Sequence, residues 1–290
     1  MHEYQIFTDA TFDLDEDLLK DIPKIEVIPM QVEIGGCEYT YGPTGNIAAE
    51  TFYYLQRKGN FATTTQISPL VYEEKFTPYL VQGKDIIYLC FSSGLSGTLG
   101  SAQYCIAQLQ MDYPDRKIIC IDTLCASAGE GFLVYEAAQK QKEGYSIEEL
   151  QQWIMSNRLN VCHWFTVDTF THLRHGGRVS SAKAMIGTAL NIKPLLHVDE
   201  KGSLQVAEKP RGQSNAIQAQ IEKIKNGWTP ERGNLILLAH GDNYDGVMKL
   251  KNEVSTHFPK AEIRITTIGP IVGSHTGPGM LAVLYWGNNR

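Results

Sequence analysis

The chain has 290 residues, of which 43% are hydrophobic and 20% are charged, and its formal net charge is −6. These values are typical of a globular protein with one large domain or two of ordinary size. The acidic balance argues against nucleic acid as a partner, because neutralising phosphates needs clustered Lys and Arg. No long apolar segment or signal-peptide pattern occurs, and the cysteines lack C-x-x-C spacing, so we expect a cytoplasmic protein with free thiols.

In the first half of the chain, short apolar runs alternate with helical patterns. Gly35-Gly36 predicts a hairpin turn, 63–68 is expected to be a loop, and Ser68-Pro69 is a strong helix start. This alternation predicts a parallel sheet with helices on both faces. The predicted strands cover 4–8, 25–34, 37–41, 86–91 and 117–121, and the predicted helices cover 15–20, 48–57, 69–80, 98–111, 129–143 and 146–157.

The stretch Y-L-C-F-S-S-G-L-S-G-T-L-G-S-A at 88–102 joins a predicted strand to a predicted helix through a loop of small residues. Such a unit directs backbone N–H groups and the positive end of the helix dipole at one point. Ser92, Ser93 and Ser96 add hydroxyl groups, so the loop favours a carboxylate or a phosphate. Asp9, Ser92 and Asp122 each follow a predicted strand end, and we expect them to share one edge of the sheet.

After residue 160 the pattern changes to a more mixed order of strands and helices, which predicts a second α/β layer. We therefore place one α/β domain with a parallel sheet over 1–160 and a second with a mixed sheet over 161–290. The predicted strands here cover 161–167, 192–198, 204–207, 235–239, 262–268 and 280–286, and the predicted helices cover 169–174, 182–190, 212–225 and 244–258.

Two further positions are candidates for anion contacts. Arg178 follows Gly176-Gly177, whose glycines allow tight backbone geometry, and it can face an anion or a partner protein; a solvated Arg in a turn is the alternative. His275 lies in S-H-T-G-P-G, predicted to be a loop of fixed shape, where an imidazole can donate to a carboxylate; a hydrogen-bonded loop histidine is the alternative.

Enzyme motifs are incomplete in this chain. Gly94-Leu95-Ser96-Gly97-Thr98 lacks the last glycine of a nucleophile elbow, although His275 and Asp122 are available as partners for a serine hydrolase. Ser180 to Lys183 reads S-x-x-K without the companion motifs of acyl-enzyme serine proteins. No metal spacing such as H-E-x-x-H and no Walker-type glycine loop is present.

Taken in order, the motifs resemble those of the DegV family, a bacterial fatty-acid-binding family, almost from end to end. One position departs from the family pattern, since Ile67 stands where the family has Pro. The matching motifs are T-D-A-T-F-D-L at 8–14, T-T-Q-I-S at 64–68, S-S-G-L-S-G-T at 92–98, D-T-L-C-A-S-A-G-E-G at 122–131, L-R-H-G-G-R-V-S at 173–180, N-I-K-P-L-L at 191–196, P-R-G at 210–212, H-G-D-N at 240–243 and I-G-P-I-V-G-S-H-T-G-P-G at 268–279.

The resemblance implies a two-domain α/β fold that holds one long-chain fatty acid in a tunnel between the domains. It also implies that a separate ATP-binding fatty acid kinase subunit phosphorylates the carboxylate. The protein would then be a carrier without catalytic residues, cofactor or metal, with transient contact to a membrane surface. The implied carboxylate contacts are Thr64, Ser92, Ser93 and His275, and further ligand or partner contacts are Ser96, Arg178 and Gly277.

The residues themselves agree with a carrier. Hydroxyl and N–H groups without a strong nucleophile–base pair suit holding a carboxylate better than attacking an ester. At roughly 0.8 kcal/mol per methylene, an acyl chain of about 15 methylenes offers on the order of 12 kcal/mol before binding costs. Two rival hypotheses stay open at this point, a serine-type acyl hydrolase and a binding module for a phosphorylated small metabolite.

Overall fold

The computed structural model describes residues 3–20, 22–179 and 191–290, which form three β-sheets flanked by helices. The strands are β1 (Tyr4–Asp9), β2 (Glu26–Ile28), β3 (Met30–Ile34), β4 (Cys37–Tyr41), β5 (Ala62–Thr65), β6 (Asp85–Cys90), β7 (Ile118–Asp122), β8 (Val161–Thr166), β9 (Leu195–Val198), β10 (Leu204–Glu208), β11 (Leu235–His240), β12 (Glu262–Thr267) and β13 (Leu281–Trp286). The helices are α1 (Glu16–Leu19), α2 (Ala49–Arg57), α3 (Pro69–Val81), α4 (Thr98–Asp112), α5 (Ala128–Lys142), α6 (Ile147–Asn157), α7 (Thr171–Gly176), α8 (Gln213–Gly227), α9 (Tyr244–His257) and α10 (Pro270–Thr276). None of these helices is long and apolar enough to cross a bilayer.

The first sheet is the predicted parallel one, with the strand order β2-β1-β6-β7. Every residue of β6 is buried, as expected for a strand covered on both faces. Successive side chains of β6 point to opposite faces: Ile87 belongs to the same buried cluster as Phe132 of α5, whereas Ile86 belongs to the cluster that contains Phe76 of α3. The prediction of helices on both faces is therefore confirmed.

The second sheet is mixed, which confirms the prediction for the later part of the chain. Its order is β10-β9-β8-β13-β11-β12, and of its neighbouring pairs only β11 and β12 run parallel. Helices α8 and α9 cover one face with residues such as Ile221 and Leu250. The other face turns Phe165 and Leu284 towards the first sheet. The sheet begins at Val161, and the division into domains at this point stays a prediction.

A third sheet corrects the sequence prediction. Residues 63–65, expected in a loop, belong to β5, which pairs antiparallel with β3 so that Thr64 lies opposite Val32. The β-branched run T-T-T favours a strand once a partner strand is available. The prediction was wrong because the partner is the hairpin strand β3, some thirty residues earlier in the chain.

A second correction concerns the glycine-rich stretch around His275, which forms helix α10 rather than a loop. Pro270 occupies the first turn, where its missing N–H costs nothing. Gly277 ends the helix with φ of +74°, which is a conformation that favours glycine. The predicted helix over 182–190 and the S-x-x-K residues lie outside the described part of the chain.

Gly129 at the start of α5 lies against the imidazole of His163. A Cβ at this position would lie 1.9 Å from His163 Nε2, and the ring is fixed because its Nδ1 donates to Val161 O at 2.8 Å. We expect Gly129→Ala to destabilise the protein by about 1–3 kcal/mol through overpacking. Gly100→Ala, in helix α4 with open space around the Cβ, should instead stabilise it by about 0.5–1 kcal/mol. Urea unfolding measures both, and equal effects would contradict the packing argument.

Candidate ligand-binding cavity

A cavity of about 370 Å³ is lined by residues of both the parallel and the mixed sheet. It lies where the strands of the parallel sheet end, the edge at which open α/β sheets place ligands. Its volume falls in the range of small-molecule sites. Most of its wall is apolar, and six of the apolar residues are Phe91, Phe165, Val198, Leu204, Ala282 and Leu284.

Small residues leave the space for this cavity. On the inner face of the mixed sheet, Ala282 lies opposite Phe165 in the register of β13 and β8. Ala126, Ser127 and Ala128, where the chain enters α5, also line the cavity. These small side chains leave open space between the start of α5 and the mixed sheet.

Polar side chains from four separate segments meet in the cavity wall. Thr64 comes from β5, Ser96 from the loop before α4, Arg178 from the loop after α7, and His275 from α10. The Thr64 hydroxyl lies 3.0 Å from His275 Nε2. Four of the residues named from the sequence thus line one cavity, although they come from four separate segments of the chain.

His275 is neutral near pH 7. Burial, together with the nearby Arg178 and His175, lowers its pKa to about 4. Its Nδ1 is buried without a hydrogen-bond partner among the described residues and packs against Gly176, where a Cβ would lie 2.1 Å away. When the single ring proton is on Nε2, it donates to the Thr64 oxygen, and the Thr64 hydroxyl proton is free to donate into the cavity.

The three serines of the central loop have different surroundings. Ser92 Oγ is buried and donates to Gly202 O at 2.8 Å, and Ser93 Oγ donates to Asp122 Oδ2 at 2.5 Å. Ser96 Oγ lies 2.8 Å from Thr98 Oγ1, and of the three serines Ser96 alone borders the cavity. The carboxylate contacts predicted for Ser92 and Ser93 stay predictions, while the fold brings Ser96 beside the cavity.

The predicted common edge of Asp9, Ser92 and Asp122 is confirmed. The backbone N–H of Ser93 donates to Asp122 Oδ1 at 3.2 Å, and that of Phe91 donates to Asp9 Oδ2 at 3.4 Å. The two carboxylates therefore hold the loop from both neighbouring strands and fix its path.

Arg178 and Gly277 occupy different places around the cavity. Arg178 is exposed and donates through Nε to Leu95 O at 3.3 Å. It borders both the cavity and an adjoining open groove of about 940 Å³, so it stands between the two. Gly277 lies outside the cavity wall and packs against His172, where a Cβ would lie 2.2 Å from the ring. Contacts of either residue with a ligand or partner stay predictions.

Within the described part of the chain, the central loop does not pair a serine hydroxyl with His275. His275 Nε2 contacts Thr64, and each serine hydroxyl of the loop has another partner. A histidine pKa of about 4 also makes a weak general base near pH 7. Across the described ranges, no three His, Cys, Asp or Glu side chains lie close enough to hold a metal ion.

Behind the cavity wall lies a cluster of buried carboxyl groups that the sequence analysis missed. Thr11 Oγ1 lies 2.5 Å from Asp9 Oδ1 and 2.7 Å from Glu130 Oε2, and its single proton serves one of them. Burial raises the pKa of Glu130 well above its usual value, which favours the protonated carboxyl that this geometry needs for a second proton. Asp9 accepts a further bond from Tyr88 at 2.8 Å. The two acids occur in motifs quoted above, but nothing in the sequence pairs them.

A third buried acid, Asp13, links the N-terminal segment to α5 and α10. It accepts from Ser127 Oγ at 2.5 Å and from Gly269 N at 2.9 Å. Burial raises the pKa of Asp13 to about 7. Ser127 and Thr11 line the cavity, and these acids are hydrogen-bond partners of both of their hydroxyl groups.

Fold and site together define an α/β protein with a cavity that is mostly apolar and carries a small group of polar side chains. The family model described as "Uncharacterised protein, DegV family" matches residues 3–288, and the chain belongs to this family. The predicted family membership and the predicted fold class are therefore confirmed.

Relatives cover the whole chain. A DegV domain-containing protein of Clostridium perfringens is 36% identical over 100% of this chain and 99% of its own. A structure from Thermus thermophilus, titled as fatty acid binding of a DegV family protein, is 29% identical with a TM-score of 0.86, covering 99% of this chain and 100% of that one. The Fak B3 protein of the Streptococcus pneumoniae fatty acid kinase, loaded with linoleic acid, is 22% identical with a TM-score of 0.86 over 99% and 100% of the two chains, a likeness that shows the fold alone.

Proposed function

We propose that this protein binds one long-chain fatty acid, with its acyl chain in the cavity and its carboxylate beside Thr64, Ser96 and His275. The observation that carries the proposal is an apolar cavity in which Thr64, Ser96, Arg178 and His275 come together in the wall. The likeness to the Thermus thermophilus protein, whose title names fatty acid binding, supports the same ligand class.

The acyl chain supplies most of the affinity in this proposal. Each buried methylene contributes about 0.8 kcal/mol, whereas a hydrogen bond from a neutral hydroxyl contributes about 1 kcal/mol. The hydroxyls therefore set the direction in which the chain lies. Arg178 adds positive charge beside the carboxylate, and Ser92 and Ser93 support the loop or contact the head group directly.

Thr64→Val tests the head-group assignment, because it removes the hydroxyl and keeps the shape of the side chain. We expect palmitate affinity to fall roughly fivefold, the effect of about 1 kcal/mol, with hexadecanol affinity less affected. Thr63→Val is the matched control, since Thr63 is its exposed neighbour on β5. Displacement of a fluorescent fatty acid measures both, and equal effects of the two variants would contradict the assignment.

We propose further that the bound carboxylate is presented to a separate ATP-dependent fatty acid kinase subunit. The motif resemblance supports this step, as does an open groove that adjoins the cavity at Arg178 and Ser96. The kinase would transfer the γ-phosphoryl group of ATP to a carboxylate oxygen and release ADP. The loaded protein, ATP and such a kinase should together form an acyl phosphate, trapped with hydroxylamine as a hydroxamate. Ester hydrolysis by the protein alone would favour the hydrolase instead.

A further inference from the structure

The guanidinium of Arg290 contacts three separate segments near the central loop. These are the loop between β7 and α5, the turn that leads into β8, and the turn between β9 and β10. The contacts run from Nε to Val161 O at 3.0 Å, from Nη2 to Arg158 O at 2.6 Å and Cys125 Sγ at 2.9 Å, and from Nη1 to Asp199 O at 3.3 Å and to Leu124 O. A planar guanidinium with five donors suits such a set of acceptors, which a lysine cannot match.

Two of these segments hold the loop that carries Ser96. The backbone N–H of Ser92 donates to Cys125 O at 3.0 Å, and Ser92 Oγ donates to Gly202 O at 2.8 Å. Gly202 belongs to the β9–β10 turn, which Asp199 closes by accepting from Gly202 N at 2.9 Å. Arg290 therefore contacts both the segment that holds the Ser92 N–H and the turn that holds the Ser92 hydroxyl.

The position of Ser96 follows from that of Ser92. The Ser92 carbonyl accepts from the N–H groups of Leu95 at 3.1 Å and Ser96 at 3.2 Å, which sets the turn that brings Ser96 to the cavity. The fit is tight, because a Cβ at Gly94 would lie 2.7 Å from Gly202 O. Small shifts of the β9–β10 turn therefore move the loop.

The loop between β7 and α5 also needs external support. Leu124 has φ of +53° and Ser127 has φ of +55°, in a region that non-glycine residues rarely occupy. Such a conformation is unfavourable by itself and persists where the surroundings hold it. Arg290 accounts for part of this support through Leu124 O and Cys125 Sγ.

We propose that Arg290 is a positioning residue for the carboxylate end of the cavity. It holds the two supports of the Ser92 loop and so places Ser96, without touching the ligand itself. The inference rests on the proposed fatty acid binding. It predicts that Arg290 affects recognition of the carboxylate more than binding of the acyl chain.

The test compares palmitate with hexadecanol, which has the same chain and no carboxylate. In Arg290→Met, the preference for palmitate should fall roughly fivefold, the effect of about one hydrogen bond, while hexadecanol affinity changes by less than about twofold. Arg290→Lys should lie between Met and wild type. Arg232→Met is the control, because Arg232 is exposed and its Nη1 donates to Asn157 Oδ1 at 3.3 Å, away from the cavity wall.

The proposal would be overturned if folded Arg290→Met kept the wild-type preference for palmitate over hexadecanol. It would also be overturned if the affinities for palmitate and hexadecanol fell by the same factor. If Arg290→Met does not fold, Arg290→Lys decides, and a wild-type preference in that variant overturns the proposal in the same way. Failure of the proposed function looks different, because wild-type protein would then bind neither palmitate nor hexadecanol.

Discussion

Replacing Ala282 with Phe is expected to lower palmitate affinity by on the order of 100-fold, because the ring takes the space of about four methylenes worth roughly 0.8 kcal/mol each. Ala282 is 2% exposed and lines the cavity beside Phe165. The added ring fills existing space, so we expect no loss of thermal stability. Fluorescent fatty acid displacement measures the affinity, and a thermal melt checks the fold.

A series of ligands sharpens this experiment. Shorter fatty acids should lose less affinity than palmitate, because they need less of the cavity, and Ala282→Val should have a smaller effect than Phe. Ala207→Phe is the matched control, since Ala207 is exposed on β10. Undiminished palmitate binding by folded Ala282→Phe would place the acyl chain elsewhere.

Unfolding free energy should fall as the pH rises from about 4 to about 7, in part because of Asp13. Burial raises the folded-state pKa of Asp13 from 3.8 to about 7, so the folded protein binds the proton more tightly than the unfolded chain. This contribution is fully present below about pH 4 and is lost as the pH rises through about 7. Its slope is about 1.4 kcal/mol per pH unit, which gives a total of order 4 kcal/mol.

Asp13→Asn keeps the shape and removes the titration. The variant should therefore show a shallower decline of the unfolding free energy over the same pH range, measured by urea denaturation. Some slope should remain, because burial raises the pKa of Glu130 and of Asp9 as well. Asp17→Asn is the control, since Asp17 is fully exposed. An unchanged slope in Asp13→Asn would contradict a raised pKa of Asp13 in the folded protein.

Local sequence patterns predicted most of the fold because the elements carry local signals. Ser68-Pro69 was predicted to start a helix, and α3 does begin at Pro69 with Ser68 as its N-cap residue. The apolar run of β6 identified the central strand of the parallel sheet. The two elements that were predicted as loops, β5 and α10, are short and depend on partners far along the chain.

Those two elements carry Thr64 and His275, so the sequence named the residues without the geometry that joins them. It likewise left open which serines of the central loop matter. Their roles differ because Ser92 meets Gly202, 110 residues later, and Ser93 meets Asp122. Contacts of this kind depend on the packing of the two sheets, and no local pattern encodes them.

Native mass spectrometry of the purified protein, followed by solvent extraction and lipid identification, tests the central claim most directly. We expect one bound long-chain fatty acid per protein chain, which is released on denaturation. The amount of bound fatty acid should be clearly lower in Ala282→Phe. Protein that is empty and also fails to take up added oleate or palmitate would contradict fatty acid binding. Displacement of a reporter by phosphorylated metabolites, and not by fatty acid, would then favour the rival ligand class.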